Sequence, residues 1–219
     1  MERVKKLLKS DQPVKWIFDG DSITHGALHT FGYRDYTETF TERLRYEMGR
    51  VRDIIIKSAV SGHTTVHMLN DFDWRLKQFQ PHVVFLMIGM NDCEASRNIS
   101  PDQFRTNLVT ICDRLTAIHA LPVLQTTCPI IDHGQTSRVA NLPGYMQAVR
   151  DVAKEKALPL IDQTAYWEEV LAKQPASHQY WMSDAVHPNN FGHQVFAECL
   201  FKALGIFDPK SFTCRLFRP

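Results

Sequence analysis

Short apolar runs alternate with longer amphipathic stretches along most of the chain. Val14–Phe18, Asp53–Lys57, His82–Ile88, Leu121–Thr127 and Leu158–Ile161 read as five strands. Continuous apolar runs of this length suit strands buried on both faces of a parallel sheet. Between them the period changes to that of a helix. Asp35–Met48 places Tyr36, Phe40, Leu44 and Met48 on one stripe and stops at Gly49. A second helix follows the loop Ala59–Thr64 and ends near Phe79, with Val66, Leu69, Phe72 or Asp73, and Leu76 at helical spacing. Ser100-Pro101-Asp102-Gln103 announces a third: Ser caps, Pro fits the first turn and Gln closes a capping box. It continues to His119 with Phe104, Leu108, Ile111, Leu115 and Ile118 inward. Arg138–Lys156 and Thr164–Ala172 are further helices. His187-Pro188 opens a terminal helix that stops near Gly205. A polar helix or arm precedes the first strand, and the tail to Pro219 has no clear periodicity.

Strands alternating with helices imply a three-layer α/β/α sandwich around a parallel five-stranded sheet. Residues 1–219 read as a single domain with a core over 14–204, long enough to bury itself without staples. Composition narrows the class. The chain is 44% hydrophobic and 22% charged, and 25 Lys+Arg against 24 Asp+Glu leave a net charge of +1. No basic stripe points to nucleic acid. No window approaches the roughly 18 apolar residues of a membrane span. The five cysteines are odd in number and contain no CxxC, and the first residues do not read as a signal peptide. Reduced thiols and a cytoplasmic location are the expectation. Oligomeric state leaves no mark in the sequence.

The chemistry gathers where strands end. Asp19–Ser22, Ser58–Thr64 and Gly89–Asp92 each follow a strand, and Ser183–His187 precedes the last helix. In open α/β sheets such loops converge outside the carboxyl ends of the strands. Ser22 is the candidate nucleophile, and a serine hydroxyl needs a base within hydrogen-bond reach. His187 is the best base, because Pro188 fixes the start of the helix beside it. Asp184, three residues earlier, can accept the other ring N–H and hold the tautomer. Oxyanion donors are available in the backbone N–H groups of Ser22 and Gly62 and the side-chain amide of Asn91. This set calls for no cofactor or metal. His25, His29, His63 and His67 lack a completing carboxylate or Cys, so they read as solvated or loop-bonded. His193 has no acid three residues before it and is the poorer base.

These blocks resemble one family specifically. Gly20-Asp21-Ser22-Ile23, Gly62, Gly89-Met90-Asn91-Asp92 and Asp184-Ala185-Val186-His187 are similar in order and position to those of the SGNH hydrolase (GDSL esterase/lipase) superfamily. The similarity runs from residue 14 to about 204. It implies a flavodoxin-like five-stranded sheet, with Ser22, Gly62, Asn91 and His187 as the four named residues. It also implies metal-free, serine-dependent ester hydrolysis. Ile23 stands where the family's name has leucine.

Asp21 reads mainly as a shaper of the Ser22 loop, and with Asp92 it is also a candidate for the substrate pocket. Tyr180 and Trp181 suit an acyl-chain wall, a stacking platform for a sugar, or core packing. Cys93 reads as a small buried hydrophobe and Asp162 as a helix cap. The expected activity is hydrolysis of a small-molecule ester with a short acyl group, and specifically that of a carbohydrate O-acetylesterase. Two alternatives stand beside it. One is a Mg²⁺-dependent phosphatase with Asp19 as nucleophile and Asp21 as acid. The other is a catalytically silent ligand-binding module on the same fold.

Overall fold

Five parallel strands make one sheet in the computed structural model, which describes residues 1–216. After α1 (Glu2–Leu8) come β1 (Lys15–Gly20), α2 (Ser22–His25) and α3 (Tyr36–Glu42). Then follow β2 (Ile54–Lys57), α4 (Thr65–Asn70), α5 (Phe72–Arg75), β3 (Val83–Met87), α6 (Pro101–Ala117) and β4 (Leu121–Gln125). The chain closes with α7 (Thr136–Glu155), β5 (Leu160–Ile161), α8 (Gln163–Lys173), α9 (Ser177–Tyr180) and α10 (Asn190–Leu204). Strand order is β2-β1-β3-β4-β5, with helices on both faces, as the alternation of periods predicts. The expected tail extends into residues 217–219, which lie outside the described residues.

The strands' burial explains their composition. Every residue of β3 and β4 is buried, as are five of the six in β1. β2 is an edge strand, with Ile54 exposed and Ile55 and Ile56 half-buried. The order reverses between β1 and β3, so the crevice at their carboxyl ends is the topological switch point where ligands bind in such sheets. Ser22 follows β1 and Asn91 follows β3.

Two helical expectations need correction. The Asp35–Met48 stripe is buried as predicted at Tyr36, Phe40 and Leu44, but the α-helical turns end at Glu42. A π-helical segment, Arg43–Glu47, continues them. Arg43 lies inward there, donating to the Ile206 carbonyl from Nε and Nη2 at 3.0 and 2.8 Å. The helix predicted to follow Thr64 and end near Phe79 breaks at Asp71 and again at Leu76. The break rephases its face: Thr65, Met68, Phe72, Arg75 and Leu76 are buried, while Val66 is exposed. Polar Thr65 and Arg75 point inward because each ties a loop of the site, and a purely apolar stripe cannot register that. Ser100 caps α6 as expected, accepting from Gln103 N at 3.1 Å. The Gln103 amide turns to Asn107 at 2.6 Å.

Candidate active site

β1 delivers Ser22. Trp16, Ile17 and Phe18 are fully buried, and the strand runs out at Gly20 beside Met87 of β3. A side chain at Gly20 would collide with the Met87 carbonyl, so only glycine permits this approach. Asp21 then caps α2 by accepting from Ile23 N at 3.0 Å. Ser22 is the first residue of that turn, where a backbone N–H has no partner within the helix. Its side chain is 6% exposed and points to the loop that carries His187.

The facing loop delivers His187. Asp184 Oδ1 accepts the N–H groups of Val186 and His187 at 2.8 and 2.7 Å, folding Asp184–His187 into a tight turn. Asp184 Oδ2 then lies 2.8 Å from His187 Nδ1, and His187 Nε2 lies 2.9 Å from Ser22 Oγ. Burial alone would raise the Asp184 pKa. The two backbone N–H groups and the His187 ring more than offset it and hold the carboxyl below its ordinary value. A carboxylate on Nδ1 leaves Nε2 as the acceptor for the serine hydroxyl. Pro188 does not itself start the helix. Asn189 caps α10, accepting from Phe191 and Gly192 N, and its amide donates to the carbonyls of Tyr180 and Met182.

The loop after β2 closes the other side. Gly62 has φ 80°, a left-handed value that favours glycine, inside a turn closed by His63 N donating to Val60 O. Asn91 is 7% exposed and donates from Nδ2 to His63 O at 3.0 Å, so it meets the Gly62 turn directly. One amide hydrogen holds that turn and the other remains for a ligand. Asp92 accepts from Thr65 N and Oγ1 at 2.9 and 2.5 Å, locking the β2 and β3 loops together. Beneath them Arg75 pairs with Asp19 and donates to Gly20 O at 2.9 Å, with its Nη1 also 2.9 Å from His63 Nδ1. Ser22, Gly62, Asn91, Asp184 and His187 thus gather at one edge of the sheet. A cavity of about 390 Å³ opens there, walled by Asn91, His133, Gln135, Arg138, Asp184 and His187.

Several pocket expectations are overturned. Asp21 and Asp92 are each 1% exposed and face the loops they cap and brace, not the cavity. Burial, opposed by the Ile23 N–H, pushes Asp21 up to about 7. Trp181 packs edge-on against Trp167 at 5.8 Å, in the core. Tyr180 is exposed and does not line the cavity. Asp19 cannot act as a phosphatase nucleophile, because it is fully buried and neutralised by Arg75. His193 is buried and held down at about 4, firstly by desolvation. Among the described residues the one group with metal-ligand spacing is His29, Asp184 and His187. His29 was not among the expected site residues. It sits seven residues after Ser22, in a segment with no periodicity, so nothing local marks it. His133, Gln135 and Arg138 follow β4, and their only signal is that position at the carboxyl edge.

The family model of GDSL-like lipases and acylhydrolases matches residues 18–195. The chain belongs to that family. As a GDSL-like acylhydrolase it is a carboxylic ester hydrolase. Thioesterase 1/protease 1/lysophospholipase L1 of Escherichia coli is 26% identical over 185 residues, 84% of this chain and 80% of that one. A Mycoplasma pneumoniae protein is 34% identical over 111 residues, 49% of this chain but 12% of that one. An acetyl xylan esterase from Geobacillus stearothermophilus, solved as a variant, shares the fold with TM-score 0.77 and 22% identity. The match covers 90% of this GDSL-like chain and 97% of the esterase. Solved forms of that esterase include catalytic mutants at a serine, an aspartate and a histidine, the last two three positions apart.

Proposed function

We propose that this hydrolase opens esters of short acyl groups through Ser22, His187 and Asp184. The observation that carries the reading is the Ser22 Oγ to His187 Nε2 contact of 2.9 Å, with Asp184 at 2.8 Å on the other ring nitrogen. Ser22 Oγ attacks the ester carbonyl as His187 Nε2 takes its proton. Asp184 accepts from Nδ1–H and stabilises the imidazolium without becoming protonated. The negative oxygen of the tetrahedral intermediate is met by the N–H groups of Ser22 and Gly62 and the free amide hydrogen of Asn91. His187 then protonates the departing alcohol. In the second half it removes a proton from water, which attacks the acyl-serine and releases the acid. The same spacing of aspartate and histidine in the acetyl xylan esterase supports these roles.

The proposed substrate is an O-acetylated carbohydrate. The cavity wall supports this, because beside the apolar Ala185 and Val186 it carries Asn91, His133, Gln135 and Arg138, whose hydrogen-bonding groups suit a polyol leaving group. Arg138 is held by Glu94 at 3.0 Å and Gln135 at 2.6 Å, so it acts as a fixed donor more than a free cation. Ser22→Ala should lower p-nitrophenyl acetate hydrolysis by about 10³-fold or more with unchanged melting. Wild-type turnover in that variant sinks the assignment. Activity on p-nitrophenyl esters should fall from acetate to octanoate, and acetylated saccharides should be deacetylated. A preference for octanoate would reject the substrate reading while leaving the serine mechanism intact.

A further inference from the structure

The loop after α2 reaches over the base from the Ser22 side. His29 stacks on His187 with ring centroids 3.7 Å apart and planes within 1° of parallel. Its Nδ1 lies 3.2 Å from Ser183 Oγ and 3.8 Å from Asp184 Oδ2. Ser183 in turn holds the His187 carbonyl, donating from N at 2.8 Å and from Oγ at 3.2 Å. His29 therefore touches the base through its ring face and through the serine that fixes the base's backbone.

We propose that His29 is a positioning residue, which holds the His187 ring in plane and must be neutral to do so. The inference rests on the triad reading above. With the Ser183 hydroxyl proton spent on the His187 carbonyl, Ser183 Oγ accepts from His29 Nδ1–H. Of the two neutral tautomers of His29, that bond selects the one with its proton on Nδ1. A neutral imidazole face over His187 favours the imidazolium that forms as Ser22 attacks. A protonated His29 would set a second positive charge against that imidazolium and compete for Asp184. The titratable groups facing His29 are His187 and Asp184 in the turn and His193 in α10. Burial and the neighbouring His187 push His29 down, against Asp184, which favours the neutral form at physiological pH. The same three side chains have metal-ligand spacing, but parallel rings aim their in-plane lone pairs side by side instead of at one point. Stacking is the better account of the cluster.

Two variants separate the stack from the fold. His29→Ala should lower kcat on p-nitrophenyl acetate by about tenfold with KM little changed, a loss confined to the transition state. His29→Phe keeps a flat ring without a titrating nitrogen. It should recover to within about threefold of wild type. At the acid end of the kcat/KM profile, where His29 takes up its proton, the extra steepening of the wild-type limb should be absent from His29→Phe. Wild-type kcat in His29→Ala overturns the proposal. So does a correctly melting His29→Phe that is no better than His29→Ala, or an acid limb unchanged in His29→Phe. Ser22→Ala is measured alongside. If Ser22→Ala is inactive and His29→Ala is wild-type, only the positioning role falls. If Ser22→Ala is active, the triad reading falls and this one with it.

Discussion

Ser22 and Asp21 are neighbours with opposite fates. The serine, 6% exposed, meets His187 across the carboxyl end of β1, while the acid is sealed behind it. Sealing has a thermodynamic consequence. Asp21 is held at about 7 against an ordinary 3.8, so the folded protein keeps a proton that the unfolded chain has released. That stabilising contribution is complete below about 4 and is lost as pH rises through about 7. Asp19, raised to about 6, adds to the lower part of the slope, and His193, lowered to about 4, opposes it below its unfolded value. Between pH 6.5 and 8 Asp21 dominates, and wild type should lose about 1 kcal/mol through it. Asp21→Asn keeps an acceptor for Ile23 N and should flatten that slope in urea titrations at the two pH values. An undiminished slope would show that Asp21 ionises normally. The sequence identified Asp21 as a turn-shaper from the Asp-Ser-Ile context. It also placed the residue in the pocket, because its burial depends on Asp92 and Met90 arriving from β3.

Elements position His187 as firmly as residues do. The Asp184–His187 turn is fixed to α10 through Asn189, which caps the helix and ties back to Tyr180 and Met182. Asn189→Ala should cost about 1–2 kcal/mol for the cap. It should also lower kcat more than its thermal destabilisation explains, since His187 loses its anchor. Equal kcat at a temperature where both proteins are folded would limit Asn189 to stability. The turn was legible because Asp184 and His187 are three residues apart and their geometry is local. The α4–α5 break was not legible. Its inward residues include Thr65 and Arg75, chosen by partners in the loop after β3 and on β1 rather than by helical period.

The whole molecule converges on Arg75. This fully buried side chain links the end of β1 through Asp19 and Gly20 O to the His63 side of the Gly62 turn. Arg75→Met removes one partner of a buried pair and leaves Asp19 to carry its charge alone, a change that typically costs about 3–5 kcal/mol. Protonation would relieve the lone carboxyl. The variant should therefore lose less stability at pH 5 than at pH 8, read by denaturant melts at both. An equal loss at both would mean that Asp19 is not the residue left stranded.

Local pattern determined much of this protein. The strand and helix periods, the polar blocks at strand ends and the Asp-x-x-His turn are properties of neighbouring residues. They suffice for the five-stranded parallel sheet and for grouping Ser22, Gly62, Asn91, Asp184 and His187. Only the tertiary structure decided which polar residues face the cavity and which face the core. It buried Asp21, Asp92 and Trp181, opened the wall of His133, Gln135 and Arg138, and laid His29 on His187. Those contacts join segments far apart in the chain. They are fixed by how loops from different strands pack at one edge of the sheet, which no short-range spacing encodes.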